Sequence, residues 1–256
     1  EYLAAQQVEL KEHWEYDTIQ RSKVKRHLNE YFYYGGLPEI QSFKNKRAML
    51  SSLYQKIYLG DICARNNIKN DRVLNILIKK MAESVKQPLS YNRLKNVIVA
   101  TGSPISVPTT IDYAGYAADS WLILPMENEV GKLTEKEMQK KYYFVDNGLL
   151  NLFLMNSETS LLENMVAVEL CRRFGKKNVF FLNAEKEIDF IVPDEKLAIQ
   201  VSYSIKDETT YNREVPPLAK YSKLHEDWKC LLITYDEEGT EEGIPVVPVW
   251  KWLMKV

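Results

Sequence analysis

LLENMVAVELCRRFG (161–175), NVFFLNA (178–184), EIDFIV (187–192) and LAIQVSYS (197–204) carry the pattern on which the fold turns. In the first stretch Leu162, Met165, Val166 and Leu170 recur at three- and four-residue steps and Gly175 closes the run, as in an amphipathic helix ended by a glycine. The other three are short runs rich in apolar, aromatic or β-branched residues, separated by charged turns. They read as strands of a meander lying on that helix. Farther along, a helical region is expected from about 217 to 226, a strand at CLLITYD (230–236), and a strand then a helix in IPVVPVWKWLM (244–254).

The order helix, three strands, helix, strand resembles the core of the PD-(D/E)XK nuclease fold, the restriction-endonuclease-like α/β domain. In that family a helical Glu precedes a strand-borne Asp, and an E-x-K or Q-x-K follows on the next strand. The resemblance puts the helical acid at Glu163, the strand acid at Asp189, and the following pair at Gln200 and Ser202. Such a site holds Mg²⁺ or Mn²⁺ between carboxylates, so that the ion neutralises developing charge and lowers the pKa of an attacking water. Strand alternation places Gln200, Ser202 and Ser204 on one face and Ile199, Val201 and Tyr203 on the other. Gln200 can still offer an amide oxygen. Ser202, however, stands where the family has its lysine, and a neutral hydroxyl supplies no cation. Lys206, by strand parity, and Lys186, near the preceding turn, are the candidates for a migrated lysine. Two readings follow: a degenerate nuclease-like domain, or a metal-dependent nuclease using Glu163, Asp189 and Gln200. The plainer reading makes Glu163 a helix-end charge, Asp189 a satisfied strand-end carboxylate, and Arg213 with Glu214 a structural pair.

The preceding residues read mainly as helix. Residues 1–34 form polar and aromatic helical segments broken at Gly35, Gly36 and Pro38. Met49, Leu50, Leu53, Ile57 and Leu59 mark one face of a helix from Lys46 to about Cys63, and Asp71 is the expected N-cap of the next helix. Ser90 caps a short helix, Gly102 and Pro104 turn the chain, and VPTTIDYAGYAADS (107–120) is a second short helix. WLILPMEN (121–128) and KYYFVD (141–146) then have strand character and flank the charged stretch Gly131 to Lys141, so they pair as a wing. The expectation is α+β: a helical winged-helix domain over 1–140 and the nuclease-like domain over 141–256. The second short helix carries Asp112 and Asp119 beside Tyr113 and Tyr116 and no basic residue, which favours protein contact or a purely structural role over DNA readout. Arg21, Lys23, Lys25 and Arg26 are the candidate nucleic-acid stripe, with Lys79 and Lys80 a lesser one; a solvated helical face is the plainer alternative.

Charge divides at the same place: residues 1–140 hold 20 Lys and Arg against 16 Asp and Glu, and residues 141–256 hold 14 against 19. No apolar run reaches the roughly 20 residues of a membrane span. No secretory signal is visible, so the expected compartment is the cytoplasm. Cys63, Cys171 and Cys230 are too scattered for a disulfide framework or a zinc cluster, and His13, His27 and His225 share no ligand spacing. No G-x-x-x-x-G-K-[ST] occurs, so ATP hydrolysis does not reside in these residues.

Taken in order, YFYYGGLPE (31–39), YLGDI (58–62), LSYNRLKN (89–96), TIDYAGYAADSWLI (110–123), YYFVDNGLLN (142–151) and LLEN through IQVSYS resemble the C-terminal region of a bacterial and archaeal AAA+-like ATPase family. There a winged helix precedes a nuclease-like domain of unknown function, and a P-loop domain lies upstream. The resemblance implies ATP bound only by that upstream domain, the AAA+ domain itself as a partner, and a regulatory or interaction role with a DNA or protein partner.

Overall fold

The computed structural model describes residues 1–184 and 187–254; the migrated-lysine candidate Lys186 lies outside them. A short α1 (Tyr2–Ala5) leads into α2 (Thr18–Tyr34), whose start is fixed by Asp17 accepting the Ile19 and Gln20 N–H groups. Gly35 ends α2 at φ 73°, and Pro38 opens α3 (Pro38–Gln41). Next, α4 (Lys46–Lys56) continues as a π-helical stretch through Ala64, and α5 (Asp71–Glu83) follows. Asp71 is the first helical residue rather than the cap expected of it. Asn70 precedes it without a side-chain cap bond, and the Asp71 carboxylate acts as a first-turn charge favoured by the helix dipole.

The paired short helices appear as expected. Ser90 Oγ accepts the Arg93 N–H at the start of α6 (Tyr91–Ala100), and α7 (Val107–Asp119) follows. Three strands, β1 (Leu89–Ser90), β2 (Ile123–Met126) and β3 (Gln139–Phe144), form an antiparallel sheet in the order β1-β3-β2. The charged stretch between β2 and β3 is not structureless. It folds as α8 (Leu133–Met138), with the Lys132 N–H bonded to the Glu135 carboxylate and the Lys136 ammonium bonded to the Glu129 carbonyl. Local polar bonds of this kind leave no apolar period to read.

After α9 (Asn147–Leu150) and α10 (Glu158–Phe174), six strands form a mixed sheet in the order β4-β5-β6-β7-β9-β8. They are β4 (Phe180–Asn183), β5 (Glu187–Val192), β6 (Leu197–Val201), β7 (Lys229–Thr234), β8 (Gly239–Glu241) and β9 (Ile244–Pro248). The expected meander β4-β5-β6 is antiparallel, and β6-β7-β9 is parallel. α10 packs against β3, β5 and β6, while α11 (Glu208–Leu224) packs on β5, β6, β7 and β9 around a second apolar cluster. The chain then closes with α12 (Val249–Met254).

Two expectations are corrected here. α11 begins at 208 rather than about 217, because Asp207 accepts the Thr210 N–H and the packing of Val215, Leu218 and Ala219 carries the helix through Pro216 and Pro217. β6 ends at Val201 instead of running to 204: Ser202 Oγ donates to the Ser204 carbonyl and the Lys206 N–H to Ser204 Oγ, which is turn geometry. The strand parity offered for Lys206 therefore does not exist, and Lys206 is exposed.

The two halves are stitched together. Past β2, the Glu129 N–H donates to the Phe181 carbonyl and the Phe181 N–H to the Glu127 carbonyl, joining the small sheet to β4 at the edge of the large one. One hydrophobic core runs from Val24 and Leu50 through Tyr143 and Val166 to Ile199 and Trp250, across the point where charge changes sign. β3 itself spans that point.

Candidate functional site

The acid cluster is built on β3, α10 and β5. Asn164 on α10 clamps β3: its Oδ1 accepts the Phe144 N–H at 2.7 Å, and its amide donates to the Phe144 carbonyl at 3.0 Å and to Asn147 Oδ1 at 2.9 Å. The clamp brings the neighbouring Glu163 against the inward face of β3, where alternation places Lys141 and Tyr143. Lys141 is 0 % exposed. Its ammonium lies 3.2 Å from Glu163 Oε1, 3.2 Å from Asp189 Oδ1 and 3.1 Å from Glu187 Oε1, with the Phe181 ring centroid at 5.7 Å. The Tyr143 hydroxyl also donates to Glu163 Oε1, at 2.8 Å.

The structure therefore brings Glu163 and Asp189 together, as the sequence predicted, but around a lysine. The other Asp189 oxygen accepts the Val201 N–H at 2.9 Å. Gln200 is drawn elsewhere: its amide oxygen accepts the Asp189 N–H at 3.3 Å and its amide nitrogen donates to Glu214 on α11. Glu214 is in turn paired at 2.7 Å with Arg213, which is itself largely exposed. Ser202 is buried with its hydroxyl spent on the turn.

Charge accounting explains the titration behaviour. Burial opposes the Lys141 ammonium, but Glu163, Asp189 and Glu187 outweigh it and its pKa is raised. Glu163 is pushed up to about 7 by burial and by the charge of Asp189, against the pull of Lys141 and Tyr143. One ammonium facing three carboxylates leaves an excess of negative charge, which favours the protonated form of Glu163. The Tyr143 hydroxyl is raised well above its ordinary value, by burial first and then by Glu163, and so stays a donor.

A divalent ion does not fit these residues as arranged. Glu163 Oε1 and both Asp189 oxygens already serve an ammonium, a hydroxyl or an amide, and Gln200 is bonded at both ends of its amide. Among the described residues no three His, Cys, Asp or Glu side chains are arranged to hold a metal. Lys141 precedes both acids in the chain, whereas the nuclease pattern puts its lysine after them, near β6. Its signal was a lysine inside the aromatic run KYYF, in phase with Tyr143, where burial demands an anionic partner.

The basic stripe is split by the fold. Lys25 pairs with Asp236 and lies 5.5 Å from the Trp250 ring centroid, tying α2 to the C-terminal elements. Lys23 and Arg26 are exposed and Arg21 is half-buried. On α7, Asp112 and Asp119 are exposed and Tyr113 and Tyr116 half-buried. The three cysteines are unpaired. No helix among the described residues is long and apolar enough to cross a membrane.

Residues 25–160, more than half of the chain, match a family described as a domain of unknown function, DUF8612, and the chain belongs to that family. The chain is similar to an uncharacterized protein of Methanocaldococcus jannaschii, at 30% identity over 93% of this chain and 57% of the relative. It is also similar to an uncharacterized protein of Haemophilus influenzae, at 29% identity over 91% of this chain and 59% of that relative. It thus spans less than two thirds of the curated relatives it matches. No solved structure matches it.

Proposed function

We propose that this member of the DUF8612 family is a non-catalytic regulatory or interaction module at the C-terminal end of a cytoplasmic AAA+-type ATPase. It pairs a winged-helix half with a nuclease-like half whose site has decayed. The carrying observation is Lys141, buried among Glu163, Asp189 and Glu187. Metal-dependent phosphodiester hydrolysis needs carboxylate oxygens free to take a divalent ion, and an ammonium cannot activate water as such an ion does. Here a side chain of the protein neutralises the acids instead. The helix-strand order around α10, β4, β5, β6, α11 and β7 supports kinship with the nuclease fold. The arrangement α6, α7, β2, β3 with β1 at the edge supports the winged helix. The acidic and aromatic surface of α7 favours a protein partner, the upstream AAA+ domain first among them.

The test is direct. The chain is incubated with single- and double-stranded DNA and RNA in Mg²⁺ and in Mn²⁺, beside Asp189→Ala. No cleavage above background is expected from either. Cleavage that disappears in Asp189→Ala would replace this reading with a metal-dependent nuclease. For the ATPase link, the full-length protein containing this chain should hydrolyse ATP, and charge reversal at Asp112 and Asp119 should alter its rate. A full-length protein without ATPase activity would remove the module reading. Contact with nucleic acid without cleavage would show as binding that weakens with salt and with reversal of Arg21, Lys23 and Arg26.

A further inference from the structure

Away from the acid cluster, an open cleft of about 590 Å³ lies where α4 and α5 meet the residues after α9. That is the size of a small-molecule site. Its walls include Arg47, Tyr54, Lys79, Leu152 and Phe153, and no carboxylate lines it. Neither Arg47 nor Lys79 makes a salt bridge among the described residues, and Arg47 has one long bond, 3.4 Å, to the Asn151 carbonyl. Tyr54, 5% exposed, gives the cleft a nearly buried aromatic wall.

We infer that this cleft binds a small organic phosphate, its anionic group between Arg47 and Lys79 and its carbon skeleton on Leu152 and Phe153. Two unopposed cations match a phosphate monoester, which carries about −1.5 to −2 at neutral pH, better than a single carboxylate. The apolar wall gives the rest of such a molecule a surface to cover, which inorganic phosphate cannot use. A nucleic-acid strand is the poorer fit, because the chain as a whole is at −1.

Calorimetric titration with AMP tests this, with inorganic phosphate and a single-stranded oligonucleotide as parallel probes. One AMP should bind per chain. Arg47→Gln and Lys79→Gln should each weaken it about tenfold, the loss expected for one charge-assisted bond. Their melting temperatures should stay close to that of the unaltered chain, since both positions are at the surface. Phosphate should bind at least about tenfold more weakly than AMP. The proposal is overturned if AMP shows no saturable binding up to about 10 mM, or if it binds both variants unchanged. It is equally overturned if phosphate binds as well as AMP, or if only the oligonucleotide binds.

Discussion

Replacing Lys141 by Met keeps a long unbranched side chain and removes the charge, so it isolates the electrostatic role of the ammonium. In the folded chain Glu163 and Asp189 would then lose a bond of 3.2 Å each and Glu187 one of 3.1 Å, with the first two acids still shut away from water. Breaking a buried ion pair by removing one partner costs about 3–5 kcal/mol, because the surviving charge stays buried and unmatched. For a chain of this size that is a fall in Tm of about 6–20 °C, at roughly 2–4 °C per kcal/mol. Thermal unfolding followed by circular dichroism at neutral pH reads it. Adding Glu163→Gln and Asp189→Asn to Lys141→Met should recover part of the loss, since the charges left orphaned are then gone. A third variant, Lys141→Ala, opens an ammonium-sized space between the acids and should gain a Mn²⁺-dependent rise in Tm that the unaltered chain lacks. The reasoning fails if Lys141→Met melts within about 2 °C of the unaltered chain, or if the triple variant is no more stable than Lys141→Met.

Glu163 titrates near 7 in the folded chain against 4.5 as the ordinary value, so between those limits the folded state holds the extra proton. Stability should therefore rise as pH falls from about 8 towards 5, by up to about 3 kcal/mol at roughly 1.4 kcal/mol per pKa unit. Glu163→Gln should flatten that slope in urea melts across the range, and a slope unchanged in the variant would sink the assignment. Asp146, pushed up to about 6 chiefly by burial, adds a smaller contribution of the same sign. Asn164→Ala removes the clamp between α10 and β3, leaving the Phe144 N–H and carbonyl to find new partners; a loss of about 2–4 kcal/mol is expected in denaturant unfolding. Gly148→Ala should prevent stable folding or cost more than about 3 kcal/mol, because the added carbon lands on the Tyr34 backbone carbonyl. Near-normal stability in that variant would mean that α9 and the end of α2 can separate.

The parts of the fold legible in the sequence were those set by one dominant local rule. The apolar period of LLENMVAVEL, the apolar and β-branched run of EIDFIV and the Ser90 cap each mark their element directly. The failures came where a second influence competed. Pro216 and Pro217 read as a helix boundary, yet packing on the sheet carries α11 through them. The serines after Gln200 continue an alternating pattern, yet their hydroxyls bond to nearby backbone and bend the chain out of the strand. The candidate site was half legible: Glu163 and Asp189 meet as expected, while the cation between them comes from a strand twenty-two residues before Glu163, in the other sheet. No local spacing could tie Lys141 to Asp189, because their proximity depends on the Asn164 clamp and on the pairing of the residues after β2 with β4.

That origin bears on what the site does. A buried ion cluster adds little net stability compared with a well-packed apolar one, since desolvation consumes most of the attraction, but it severely penalises any arrangement in which one member is missing. Lys141 belongs to the small sheet, Glu163 to α10, and Glu187 and Asp189 to the large sheet. Moving the small sheet away from the large one would strand an ammonium on one side and at least two buried acids on the other. The cluster therefore acts on the relative placement of the two halves, a role that a bound metal, free to leave, would not fulfil in the same way. An ion lock of this kind, tethered through the chain on every side, suits a protein whose two halves hold together as one body. Independent motion of the halves, seen as two separate unfolding transitions with Lys141 intact, would contradict it.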